Sequence, residues 1–145
     1  MPKSQLPISV CICTLNSITT IKECIEAVLK NNVSEIIAVD AGSSDGTKQY
    51  LEKLSLKLIS CKKLGLAYQR KISISNAKNE FIAIVDSQDI LEPNCLSTLL
   101  RELIQNNWHA IQAATKAREL KNYWQKSYNS LTEFSINKPG ETNMV

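Results

Sequence analysis

The chain has 145 residues, of which 43% are hydrophobic and 21% charged, the size and balance of a single folded domain, which excludes a disordered chain. Its 17 basic and 14 acidic residues leave a net charge of +3 with no run of like charges, so nothing marks a nucleic-acid or membrane-surface partner. No segment approaches the roughly 20 apolar residues that cross a bilayer, and the first seven residues lack the apolar stretch of a signal peptide.

The five cysteines, Cys11, Cys13, Cys24, Cys61 and Cys95, are odd in number and mostly embedded in apolar runs. They read as reduced structural thiols in a cytoplasmic setting. Cys11 and Cys13 share a strand face, but no second pair completes a tetrahedral metal site.

Residues 8–14 form a nearly continuous β-branched run and predict a first strand covered on both faces. Thr20 and Glu23 have capping-box spacing, and Ile21, Cys24, Ile25, Val28 and Leu29 recur at helical intervals up to Asn31 and Asn32. A second buried strand is expected over 35–40, ending in Asp40. A glycine- and serine-rich loop over 41–47 then leads into a helix that buries Tyr50, Leu51 and Leu54. A short strand over 56–60 precedes a helix over 64–77 with Leu66, Ala67, Arg70 and Ile74 along one side, and a fourth strand over 80–85 runs into Asp86. Pro93 opens a helix whose stripe is Leu96, Leu99, Leu100, Leu103 and Ile104. A fifth strand is expected over 109–115, and a helix near 120–130 in a polar, aromatic-containing tail.

This alternation predicts an α/β domain over residues 1–120, a mostly parallel open sheet with helices on both faces, followed by a tail over 121–145. In such sheets ligands bind beyond the carboxyl ends of the strands. There the polar residues gather: Thr14 and Asn16, then Asp40 with Gly42, Ser43, Ser44 and Asp45, then Asp86, Ser87, Gln88 and Asp89.

Each of these residues has a local role open to it as well as a ligand role. Ser44 and Asp45 suit N-caps of the next helix. Asp40, at the end of an apolar run, must be solvated, paired or bonded to ligand, or else cap the Gly42 turn. Asp86 to Asp89 is an acidic turn whose spacing also suits a hard cation carrying phosphates. Arg70 is a solvated charge or a phosphate and base contact. His109 stands without a partner in sequence reach and reads as filler. Phosphate-cradling, dinucleotide-binding and nucleophile-elbow motifs are missing.

The order of these pieces resembles the amino-terminal half of family 2 glycosyltransferases of GT-A type. I-S-V-C-I-C-T-L-N over 8–16 is similar to the family's first strand and asparagine turn, and V-D-A-G-S-S-D-G-T over 39–47 to its second-strand signature. The stretch 65–74 resembles its glycine and arginine helix, and I-V-D-S-Q-D-I-L-E-P over 84–93 its Asp-x-Asp segment.

The resemblance implies an inverting transfer of sugar from a nucleotide-diphosphate sugar to an acceptor. It places Thr14, Asn16, Asp40 and Gly42 at the nucleoside, Arg70 at base or phosphates, and Asp86, Gln88 and Asp89 around Mg²⁺ or Mn²⁺. Such a cation offsets the charge that develops on the diphosphate. Ala41 stands where the family often has a second acid, and Gln88 where its second metal-binding acid is expected.

Tyr123, Trp124 and the closing Asn143, Met144 and Val145 resemble the approach to the family's middle strand, so the acceptor pocket and catalytic acid are expected to be missing. Two other expectations remain. One is a nucleotide-binding or assembly module without turnover, favoured by Gln88 and the missing acceptor half; a truncated domain is also expected to self-associate through exposed apolar surface. The other is a receiver-like signalling domain, which needs an acidic pair where this chain has Thr14, Leu15 and Asn16.

Overall fold

A computed structural model describes residues 5–62 and 64–116. The tail expected over 121–145, with Tyr123, Trp124 and the helix near 120–130, lies outside them. The chain divides into two compact units, Met1–Arg101 and Glu102–Val145.

In the first unit β1 (Leu6–Thr14), β2 (Val33–Asp40), β3 (Lys57–Ser60) and β4 (Phe81–Asp86) form one sheet in the order β3-β2-β1-β4. All three pairings are parallel. Between the strands run α1 (Ile18–Leu29), α2 (Thr47–Leu51) and α3 (Leu66–Ser75), and α4 (Cys95–Gln105) follows β4.

Strand side chains alternate between faces, and each face has its own core. On one, Ile8, Val10 and Ile12 of β1 meet Ile21, Cys24, Ile25 and Val28 of α1, with Leu51, Val85 and Leu96. On the other, Cys11, Ile37, Val39 and Cys61 pack with Ile59, Ile72 and Ala77. The β-branched run of β1, central and covered on both sides, is therefore what the first-strand pattern predicted.

The chain winds outward from β1 to β3 and then crosses back to β4 on the far side of β1. The topological switch lies between β1 and β4, where an open α/β sheet leaves a crevice at its carboxyl edge.

Four local expectations change. The capping box of Thr20 and Glu23 does not start α1; the helix begins at Ile18 with Ser17 as N-cap and no side-chain cap bond. The Ile18 N–H instead donates to Asp45 Oδ2 at 2.9 Å, across the loop after β2. Pro93 likewise precedes α4 in a turn, and the helix proper begins at Cys95. The Leu96 N–H is taken by the buried Asn31 Oδ1 at 3.0 Å. Both helices are capped by residues distant in sequence, which no local spacing encodes.

The side of α3 expected to carry Leu66, Ala67, Arg70 and Ile74 is not its buried one. Leu66 and Ile74 are exposed, and the buried residues are Gln69 and Ser73. Polar residues can occupy that face because their hydrogen bonds are met there: Gln69 by strand carbonyls and Ser73 by the Arg70 carbonyl.

The fifth strand expected over 109–115 is not formed; the segment follows no regular element, and only Ile111 and Ala113 alternate as half-buried residues. Alternation fits an extended chain, but a strand also needs a ladder partner. Just beyond the end of α4 at Gln105, Asn107 has a φ of 53°, and the Trp108 N–H reaches back to the Leu103 carbonyl at 2.9 Å. This left-handed stop suits asparagine.

Candidate functional site

β1, β2 and β4 end level with one another, with Thr14 beside Asp40 and Cys13 beside Asp86 in the ladders. The loops that leave them converge on the carboxyl edge.

Asp40 is fully buried. Its Oδ1 accepts hydrogen bonds from Thr14 Oγ1 at 3.1 Å and from Ser43 Oγ, and its Oδ2 accepts the N–H groups of Gly42 and Ser43, each at 3.0 Å. A carboxylate offers about four lone-pair sites, so internal partners use its capacity. Gly42, at φ 91°, lets the chain turn back over the carboxylate. Asp40 thus holds the turn.

The β1 turn is bonded to this loop. Asn16, in a left-handed conformation at φ 51°, donates its N–H to Ser43 Oγ at 2.8 Å and accepts the Ser44 N–H at Oδ1, at 2.9 Å. Ser17 N–H reaches Thr47 Oγ1 at 2.9 Å. Asp45 takes the Thr47 N–H at 3.0 Å as well as that of Ile18, but the N-cap of α2 is Gly46, so neither Ser44 nor Asp45 holds the expected N-cap position. Desolvation pushes the Asp45 carboxyl up, but hydrogen bonds from Thr47 and Ile18 outweigh it and hold it below the usual aspartate range.

At the end of β4, Asp89 folds back so that its Oδ2 accepts the Asp86 N–H at 3.2 Å, and its own N–H donates to the Asp86 carbonyl at 2.9 Å. Ser87 Oγ meets Ser17 Oγ at 3.0 Å, which joins this turn to that of β1. Asp86 turns its carboxylate to Arg70, whose Nη2 lies 3.1 Å from Oδ1; the side chains are 47% and 37% exposed. A pair this open contributes at most about 1 kcal/mol, so an anion can draw the guanidinium away at little cost. Arg70 Nε is buried without a partner.

Gln88 is exposed. Among the described residues no group of three or more His, Cys, Asp or Glu side chains is arranged to hold a metal ion. The donors that are present, the half-buried carboxylates of Asp86 and Asp89 and the exposed amide of Gln88, are nonetheless hard oxygens. They fit a cation that takes its remaining ligands from diphosphate and water.

The sequence-predicted residues thus meet at one edge: Thr14, Asn16, Asp40 and Gly42 in the bonded double loop, and Arg70, Asp86, Gln88 and Asp89 across the switch point. His109 belongs to the other unit. Gln69, buried beneath the loops, was missed because a polar residue between exposed neighbours carries no periodic signal. Two cysteines adjoin the β4 end: Cys13 lies beside Asp86 in the ladder, and Cys24 Sγ donates to the Asp86 carbonyl at 3.5 Å. Burial pushes Cys24 up to about 12 and Cys13 to about 11, and the carboxylates of Asp89 and Asp86 add to the rise at Cys24.

A family model described as glycosyl transferase family 2 matches residues 9–144. Among curated proteins, the glycosyltransferase GlyG of Streptococcus pneumoniae is 35% identical over 104 residues, 66% of this chain and 35% of its own length. The cholesterol galactosyltransferase of Borreliella burgdorferi is 33% identical over 109 residues, 69% of this chain and 30% of its own. The chain therefore spans about a third of the length of these relatives. The structure of S. aureus TarS in complex with UDP superposes with a TM-score of 0.63 at 27% identity, covering 70% of this chain and 33% of that one. The parallel sheet order, the strand-end loops and these likenesses agree on a GT-A type fold, and the chain belongs to glycosyl transferase family 2.

Proposed function

We propose that this chain binds the nucleotide-diphosphate sugar of a glycosyl transfer, and that the whole protein passes the sugar to an acceptor hydroxyl with inversion. The observation that carries this reading is the Arg70–Asp86 pair at the switch between β1 and β4, a part-exposed cation and carboxylate beside a hydrogen-bonded double loop. The UDP bound to TarS supports a nucleoside diphosphate as ligand.

In this reading Thr14, Asn16, Asp40 and Gly42 shape the nucleoside end, with Asp40 acting through the turn it organises. Arg70 moves from Asp86 onto the phosphates, a geometry its planar fork favours. Asp86 and Gln88, with the uncommitted oxygen of Asp89, then hold Mg²⁺ or Mn²⁺. When bound, the cation neutralises charge on the departing diphosphate as a Lewis acid. The base that takes the acceptor proton is assigned to none of the described residues.

Calorimetric titration with UDP, GDP and dTDP, each with and without Mn²⁺, tests the reading. Binding of one nucleotide, strengthened by Mn²⁺ and weakened by Arg70→Gln, is expected. Absence of binding by all three would overturn it, whereas binding unaffected by Mn²⁺ would remove the cation and leave the nucleotide pocket. Binding by a full protein that transfers no sugar would favour the module without turnover.

A further inference from the structure

Gln69 lies on α3 directly before Arg70 and is only 5% exposed. Its Nε2 donates to the Thr14 carbonyl at 3.1 Å and to the Val39 carbonyl at 3.0 Å. Both acceptors are main-chain oxygens, so the amide nitrogen must face them. One is the last residue of β1 and the other the penultimate residue of β2. A single side chain thus fastens α3 across two strand ends beneath the crevice.

The start of α3 buries little apolar surface. Gly65, its N-cap, makes no side-chain cap bond, and Leu66 and Tyr68 are exposed. Apolar packing comes later in the helix, from the half-buried Ile72 and from Ala77 beyond it. The first turn is therefore held by polar bonds from Gln69 rather than by burial of apolar surface.

Arg70 is the next residue, and its contact with Asp86 is a single Nη2 bond, with Nε unpartnered. So little contact does not by itself fix a long side chain, whose direction follows from where the helix backbone is placed.

The geometry points to Gln69 as a positioning residue that sets Arg70 over the carboxyl end of β4 for diphosphate recognition. This deepens the proposed nucleotide-binding role and rests on it. Gln69 itself touches no ligand. It acts by keeping the first turn of α3 in register with β1 and β2, where a misplacement of about 1 Å in a binding group is costly.

The test is a double-mutant cycle on nucleotide affinity in the intact chain, with Gln69→Met, Arg70→Ala and both together. Methionine keeps the length and volume of the side chain and removes both hydrogen bonds. Gln69→Met is expected to weaken UDP binding about tenfold in the presence of Arg70 and to have little effect once Arg70 is alanine. Equal weakening in both backgrounds would overturn the proposal, because Gln69 would then act on the pocket at large.

A second readout is independent of nucleotide: the side-chain Nε–H resonance of Arg70, which is expected to shift and exchange faster with water in Gln69→Met. An unchanged resonance would overturn the positioning role even if no nucleotide bound. A shifted resonance without nucleotide binding would sustain the positioning of Arg70 while removing the proposed ligand.

Discussion

Replacing Asp40 tests how the double loop is held. Asp40→Ala removes the acceptor of four hydrogen bonds. The Thr14 hydroxyl, 2% exposed, is left buried without that partner, while the Gly42 and Ser43 N–H groups lie nearer solvent and regain water in part. A stranded buried donor costs about 1–3 kcal/mol and a lost bond to a charged group about 1.5–3. Allowing for water at the outer two donors, the expected loss is about 4 kcal/mol, at the upper end for a point substitution.

Asp40→Asn should be milder, about 1–2 kcal/mol. Its oxygen can still accept both N–H groups, and the hydroxyls of Thr14 and Ser43 can rotate to accept from its amide. Urea unfolding is the assay. With a slope of about 2 kcal/mol per molar, alanine should lower the midpoint by about 2 M and asparagine by less than about 1 M. An alanine shift below about 0.5 M would mean that the four bonds contribute almost nothing net. An asparagine variant as unstable as alanine would show that the hydroxyls cannot reorient.

Two further outcomes follow from the titratable groups. Desolvation pushes Glu35 up, but hydrogen bonds from Ser9 and the Lys78 N–H and the charges of Lys78 and Lys57 outweigh it, so the folded carboxyl lies below the usual glutamate value. Its contribution is therefore present above the unfolded pKa of about 4.3 and is lost as pH falls through the lower folded value. Urea midpoints measured against pH should converge for wild type and Glu35→Gln below the lowered folded value and diverge above the unfolded value of about 4.3; parallel curves would contradict this. Burial raises Cys24 to about 12, so the native protein should keep it protonated at neutral pH. Alkylation mapped by mass spectrometry should therefore reach Cys24 only on unfolding, and rapid native labelling would contradict its burial.

The strands and most helices were legible because their signals are local. β1 and β2 are central, and their β-branched runs state that burial directly. The acids at the ends of β2 and β4 are legible too, since a carboxylate closing an apolar run must be met by something. That reasoning left open what meets it. Only the fold shows that Asp40 is satisfied from within, by Thr14 on one side and its own turn on the other, while Asp86 faces Arg70 from a helix sixteen residues away.

Four features depended on tertiary contacts. The caps of α1 and α4 come from Asp45 and Asn31, brought close only when the strands and helices assemble. Residues 109–115 carry a strand-like composition but make no ladder, because pairing belongs to two segments and composition to one. The buried face of α3 is polar, since strand-end carbonyls lie where Gln69 can reach them, and neither hydropathy nor period registers an acceptor on another element. Sequence alone determined the order of elements and the residue types at each strand end, because backbone preference and burial act over a few residues. The tertiary structure decided which of those polar groups are spent on one another and which remain for a ligand, because hydrogen bonds are directional and their partners are set by strand order and register.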